Sequence, residues 1–204
     1  YSHEYAMHFP QIQWPAGRQA KVSPLYDRLE AAGAEFGSYG GWERADWFPK
    51  AGDERRLADS YDRQGWFDTV GDECRHVADH VGILELTGFS RYLVKGEGAR
   101  SWLSSLITGN LPKPGRIGLI YFASPKGRIL TEMTATCLGD DEFMLMTGAG
   151  AYWHDFDLLS FALPADGVIS ISDMTRDFAT LLVTGPKAPA LLGGVIDSDL
   201  SSDT

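Results

Sequence analysis

Between residues 129 and 138 the run ILTEMTATCL alternates strictly. Ile129, Thr131, Met133, Ala135 and Cys137 form one series; Leu130, Glu132, Thr134, Thr136 and Leu138 form the other. A period of two is the signature of a strand, so Glu132 and Thr134 share one face and Met133 lies on the opposite one. The preceding stretch IGLIYFAS is also strand-like, and Pro125-Lys126-Gly127 between the two reads as a hairpin turn. GDDEFMLMTG adds a third strand after a Gly-Asp turn, while ILELTGF, RYLVKG, VISISD and FATLLVTG are further short strands.

Helical spacing appears elsewhere. In SPLYDRLEAAGAEF, Ser23 is a candidate N-cap, Pro24 a first-turn residue and Gly33 a stop, with Leu25, Leu29 and Ala32 as the apolar stripe. DECRHVADHVG aligns Cys74, Val77 and Val81, and GARSWLSSLITGN aligns Trp102, Leu103 and Leu106. AYWHDFDLLSFAL is helical, and a last helix opens near Pro186. GSYGGWERADWFPKAGDERR reads as an aromatic, glycine-rich loop, and residues 1–22 as a linker ahead of a domain spanning 23–204. Strands joined by tight turns, with helices interspersed, predict an α+β fold with mostly antiparallel sheet.

Composition narrows the class. The 204 residues are 44% hydrophobic and 23% charged, and 6 Trp among 12% aromatics can fill a sizeable core. No apolar run reaches the roughly 18 residues of a membrane span, so no membrane partner is expected. A formal charge of −10, from 18 Lys and Arg against 28 Asp and Glu, argues against nucleic acid as a partner. Two cysteines, Cys74 and Cys137, suit neither a disulfide framework nor a thiolate metal site.

Candidate chemistry is sparse. His76 and His80 sit four apart on one helix face, but no third ligand accompanies them, and a solvated face is the better reading. TGAGAYW lacks the third glycine of a dinucleotide fingerprint, so Gly148 and Gly150 read as a turn that a flat ligand can approach closely. No G-x-S-x-G setting supports a hydrolase nucleophile. What remains is Glu132, a lone acid inside a neutral strand. A solvated strand face accounts for it by spacing alone.

Four blocks change that balance. SPLYDRLEAAGAEFGSYGGWE, HVGILELTGFSRYLVKGEGA, GRILTEMTATCLGDDEFMLMTGAG and LLVTGPKAPALL together resemble the folate-dependent aminomethyltransferases, the family of the glycine cleavage T-protein. The resemblance spans about residues 22–195. Glycine cleavage members carry two aspartates where this chain has Thr131-Glu132, and a ligand-contacting Asn where it has Gly148. PKGR followed by Glu, TGAGAYWHD and GGWERADWF are more similar to the folate domains of dimethylglycine and sarcosine dehydrogenase-like flavoproteins.

The resemblance implies that Glu132 is the functional carboxylate, and that Glu132, Met133, Thr134 and Gly148 contact tetrahydrofolate. It also implies capture of an N-methyl amine-derived imine as 5,10-methylenetetrahydrofolate, with FAD confined to an upstream flavin domain that residues 1–22 would join. A folate-binding accessory protein and a glycine cleavage aminomethyltransferase are the alternatives. The family pattern further implies that the folate domain continues beyond Thr204; the two cysteines fit a reducing compartment, bacterial cytoplasm or mitochondrial matrix, and a homo-oligomer is compatible. Tyr5, Phe9 and Trp14 of the linker are expected to pack rather than lie free.

Overall fold

The computed structural model describes Tyr5 and residues 14–53, 62–197 and 200. Five α-helices and ten strands occur among them. Two compact units form: one holds the described residues up to Thr87 and those from Ala179 onward, the other Gly88–Phe178. The first unit is discontinuous in sequence because a late strand returns to pair with an early one.

In the first unit, helix α1 (Tyr26–Ala31) starts where the Ser23 hydroxyl accepts from the Leu25 amide at 3.2 Å. It stops at Gly33, whose φ of 89° lets the Ala34 amide reach the Leu29 carbonyl at 3.0 Å. Next comes a difference from the sequence reading. The glycine-rich "loop" is a hairpin, β1 (Glu35–Tyr39) paired antiparallel with β2 (Trp42–Trp47). Gly40 and Gly41, at φ 59° and 83°, form its two-residue turn, a conformation in which glycine avoids the steric cost of a Cβ.

The segment read as a linker is fastened to this hairpin. Arg18 donates to both carboxylate oxygens of Glu43 at 2.7 and 2.6 Å, the Gln19 amide donates to the same carboxylate, and Lys21 bridges to Trp42. Trp14 is half-buried and Tyr5 exposed; Phe9 lies outside the described residues. Helix α2 (Phe67–Asp79) follows, then β3 (Gly82–Glu85), which pairs antiparallel with β10 (Leu181–Thr184) ahead of the short helix α5 (Ala188–Leu192).

The second unit is built on a six-stranded sheet. Its strands are β4 (Ser90–Lys95), β5 (Ile107–Thr108), β6 (Ile117–Ala123), β7 (Ile129–Gly139), β8 (Glu142–Thr147) and β9 (Ser170–Asp173). They lie in the order β5-β6-β7-β8-β4-β9, each neighbouring pair antiparallel. One face carries Tyr92, Val94, Ile120, Phe122, Met133, Ala135, Cys137, Phe143 and Leu145, all at most 1% exposed. Helix α3 (Ala99–Leu106) adds Ala99, Trp102 and Leu103 to that core, and α4 (Tyr152–Ala162) adds Leu159. Burying each large apolar side chain is worth about 1.5–3 kcal/mol, which anchors both helices to this face. The Trp102 indole N–H also donates to the Ala162 carbonyl at 2.9 Å, tying α3 to the end of α4. Asp141, in the turn between β7 and β8, accepts from the Gly98 and Arg100 amides and so satisfies the open N-terminus of α3.

Candidate functional site

The opposite face of that sheet is where Glu132 lies. Period-two alternation turns Met133 into the core at 1% exposure and leaves Glu132 exposed. Antiparallel pairing sets Tyr121 of β6 opposite Glu132, Leu119 opposite Thr134 on one side, and Met146 of β8 opposite Thr134 on the other. Directly opposed residues point to the same face. Glu132 therefore stands over a floor of Tyr121, Leu119, Thr134 and Met146. Arg91 of β4 is opposite Met146 in the same row, is 4% exposed, and donates through Nη1 to the Phe89 carbonyl at 2.7 Å.

Gly148 continues β8 in an extended conformation, φ −65° and ψ 142°. The β7–β8 ladder ends at the Thr134–Met146 pair, and Glu132 and Gly148 each lie two residues past it at the same end. A Cβ added at Gly148 would meet nothing within 4 Å, so the backbone here is open to close approach. The structure thus sets Glu132, Thr134 and Gly148 at one end of the β7–β8 pair and turns Met133 away from Glu132 and Thr134: Met133 supports the strand from behind. Tyr121 and Met146 share the surface and were not singled out from the sequence. Their signal was present as alternation in the neighbouring strands, but it acquires meaning only through the register.

Behind the site, α4 is stitched to the sheet by polar groups. Tyr92 donates to the Tyr152 carbonyl at 2.6 Å, and Tyr152 donates to Asp173. The bond to Asp173, with burial, pushes the Tyr152 hydroxyl up to about 12. Burial works against ionisation of Asp173, yet hydrogen bonds from Thr175 and Tyr152 outweigh it and hold the carboxyl below its usual value. His76 and His80, at the far end of α2, have ring centroids 4.7 Å apart, and the Lys187 ammonium against His80 lowers its pKa. No group of three metal-capable side chains occurs among the described residues. Nor is any described helix long and apolar enough to cross a membrane.

Chemically, an exposed carboxylate beside a tyrosine and over an apolar floor suits a flat heteroaromatic ligand that presents N–H groups. The carboxylate accepts those hydrogen bonds while the floor packs the ring.

Comparison with known proteins gives concordant matches. The model of the GCVT N-terminal domain matches residues 25–204. Mitochondrial dimethylglycine dehydrogenase from Mus musculus is 32% identical over 197 residues, covering 96% of this chain and 23% of the relative. The formaldehyde-forming 4-methylaminobutanoate oxidase of Paenarthrobacter nicotinovorans is 30% identical over 98% of this chain and 24% of its own length. The crystal structure of glycine cleavage system aminomethyltransferase T from Bartonella henselae superposes with a TM-score of 0.68 at 28% identity, over 85% of this chain and 43% of that one. The chain spans about a quarter of the length of the two oxidising relatives.

Proposed function

From the premise that this chain belongs to the GCVT N-terminal domain family, we propose that the Glu132 face of the sheet binds tetrahydrofolate. In this reading the domain works within a longer dimethylglycine or sarcosine dehydrogenase-like enzyme and captures a one-carbon unit as 5,10-methylenetetrahydrofolate. The observation that carries the reading is the placement of Glu132. It is an exposed carboxylate paired across the sheet with Tyr121, on the face away from the core, at the same end of the β7–β8 pair as the unobstructed Gly148.

FAD, bound in another part of the longer protein, would supply the two-electron oxidation of the N-methyl amine to an imine. This chain's share is binding, orientation and proton handling. Glu132 would accept hydrogen bonds from the pterin N–H groups, with Leu119 and Met146 offering apolar surface to the ring. Tetrahydrofolate, when bound, would supply the nucleophilic nitrogens that take up the imine carbon with release of the amine and one proton. Glu132 is the acid-base group placed to take that proton. Glu reaches about one methylene, roughly 1 Å, further than Asp, so the strand must be set for the longer acid.

The test uses the intact enzyme. Glu132→Gln is expected to slow methylenetetrahydrofolate formation by about 10²–10⁴-fold, the usual worth of an acid-base group. Reduction of the flavin by the amine should continue at the normal rate. Equal loss of both activities, or loss of neither, overturns the assignment.

A further inference from the structure

Resting on that reading, we propose that Asp155 is a positioning residue for Glu132, acting through the ends of β7 and β8. The ladder between these strands stops at the Thr134–Met146 pair, so residues 131–133 of β7 have backbone pairing to β6 only. On the β6 side the register slips between Phe122 and Ala123. Thr131 faces Phe122 and Ile129 faces Ala123, which leaves Leu130 as an unpaired bulge residue two positions before Glu132. The segment bearing the acid thus has a bulge before it and no rungs on its β8 side.

Asp155 occupies the place of those rungs. It sits in the first turn of α4 and is 0% exposed. Its Oδ2 accepts from Thr147 Oγ1 at 2.7 Å and from Thr131 Oγ1 at 3.2 Å, and its Oδ1 is 2.8 Å from His154 Nδ1. Thr131 immediately precedes Glu132, and Thr147 immediately precedes Gly148. One carboxylate oxygen therefore spans the gap between the two strands, one residue from each half of the candidate site. His154, whose side chain is 58% exposed, holds the other oxygen and so sets the plane of the carboxylate.

A buried carboxylate is a poor device for stability alone, since its desolvation offsets what its bonds contribute. What it supplies is direction: two hydroxyls fixed on one atom hold two backbones in one relative position. An acid-base group needs that constraint, because displacement by about 1 Å can cost 10²-fold in rate.

The test is a double-mutant cycle in the intact enzyme. Asp155→Asn and Thr147→Val are combined singly with Glu132→Gln, and methylenetetrahydrofolate formation at saturating folate is read. Amine-dependent flavin reduction corrects for the amount of folded enzyme. Each single variant is expected to lose about 10- to 100-fold, and to lose less than about twofold more when Glu132 is already Gln, because the group being positioned is gone. The same loss in both backgrounds means that Asp155 acts on the fold at large, and overturns the proposal. Silence of both variants while Glu132→Gln is slow overturns it too and leaves the folate reading standing. A silent Glu132→Gln removes that reading and the proposal with it. Should Asp155→Asn fail to fold, Thr147→Val, which removes one hydroxyl at constant shape, carries the test alone.

Discussion

Glu132 and Gly96 show how differently single residues betray themselves. Glu132 is legible because an acid inside a neutral alternating strand is unusual, and the alternation sets it on the face opposite Met133. Gly96 carries no such mark, yet its φ is 133° and an added Cβ would come within 2.1 Å of the Val168 carbonyl oxygen. Gly96→Ala is therefore expected to destabilise the second unit by more than about 2 kcal/mol, combining backbone strain with a clash against rigid main chain. Urea denaturation followed by tryptophan fluorescence measures it; a change within 0.5 kcal/mol would contradict the close approach.

The Arg18–Glu43 pair makes a second residue-scale case. Glu43 is 4% exposed, and the bond from Arg18 holds its carboxyl below the usual value, with the Gln19 amide assisting. A depressed acid contributes stability that is present above its unfolded pKa and lost as pH falls through the folded one. Acid below about pH 4.5 should thus weaken the first unit. Arg18→Ala leaves a buried carboxylate with less compensation, at about 1–3 kcal/mol at neutral pH. Its acid loss should be shallower than that of the parent, because protonating an unpaired buried acid relieves strain. A parallel pH dependence in the two proteins would remove the pair from this role.

At the scale of elements, most of the pattern was readable. The β6–β7 hairpin, β8, and helices α2, α3 and α4 stand near where the periodicity places them. The hairpin of β1 and β2 was not read, because aromatic and charged residues on both faces blur a period of two and Gly40-Gly41 looks like one more loop signal. A Gly-Gly pair between short runs is also a two-residue turn signature, and only the cross-strand partner decides. How α4 meets the sheet was equally hidden, since it depends on Tyr92, Tyr152 and Asp173 from three separate elements. Burial raises Tyr92 and the Asp173 bond raises Tyr152 to about 12, from an ordinary value of 10.0 for each. Above pH 10 the unfolded tyrosines ionise before the folded ones, so stability falls as pH rises from 10 towards 12. Tyr152→Phe should flatten that alkaline loss in a pH series of thermal melts, whereas an unchanged slope would place the proton linkage elsewhere.

For the molecule as a whole, length relative to its relatives matters most. The chain covers 43% of the T protein from Bartonella henselae and about a quarter of the oxidising relatives. A ligand normally buries most of its surface in a pocket with several walls, and in the proposed reading the Glu132 face is one of them. Tetrahydrofolate titrated by calorimetry is expected to bind the 204-residue chain at least about a thousandfold more weakly than the full-length enzyme, several kcal/mol in all. Equal micromolar affinity for both would show the pocket to be complete within these residues. Ile83, Leu84, Leu181 and Leu182 on the β3–β10 ribbon are also each more than 40% exposed. Concentration-dependent self-association of the isolated chain should accordingly appear in sedimentation velocity.

Local order along the chain determined most of the strands and helices, the α+β class and the singling-out of Glu132, because periodicity and turn chemistry act over a few neighbouring residues. The family followed from blocks of sequence in which each position matters little and the combination matters a great deal. Only the tertiary structure decided which side chains stand beside Glu132, since Tyr121 and Met146 arrive through strand register, which no single strand encodes. It alone showed Met133 turned into the core, Asp155 bridging Thr131 and Thr147, and β10 returning to β3 across nearly a hundred residues. Those contacts are non-local: their partners are separated in sequence, and packing brings them together.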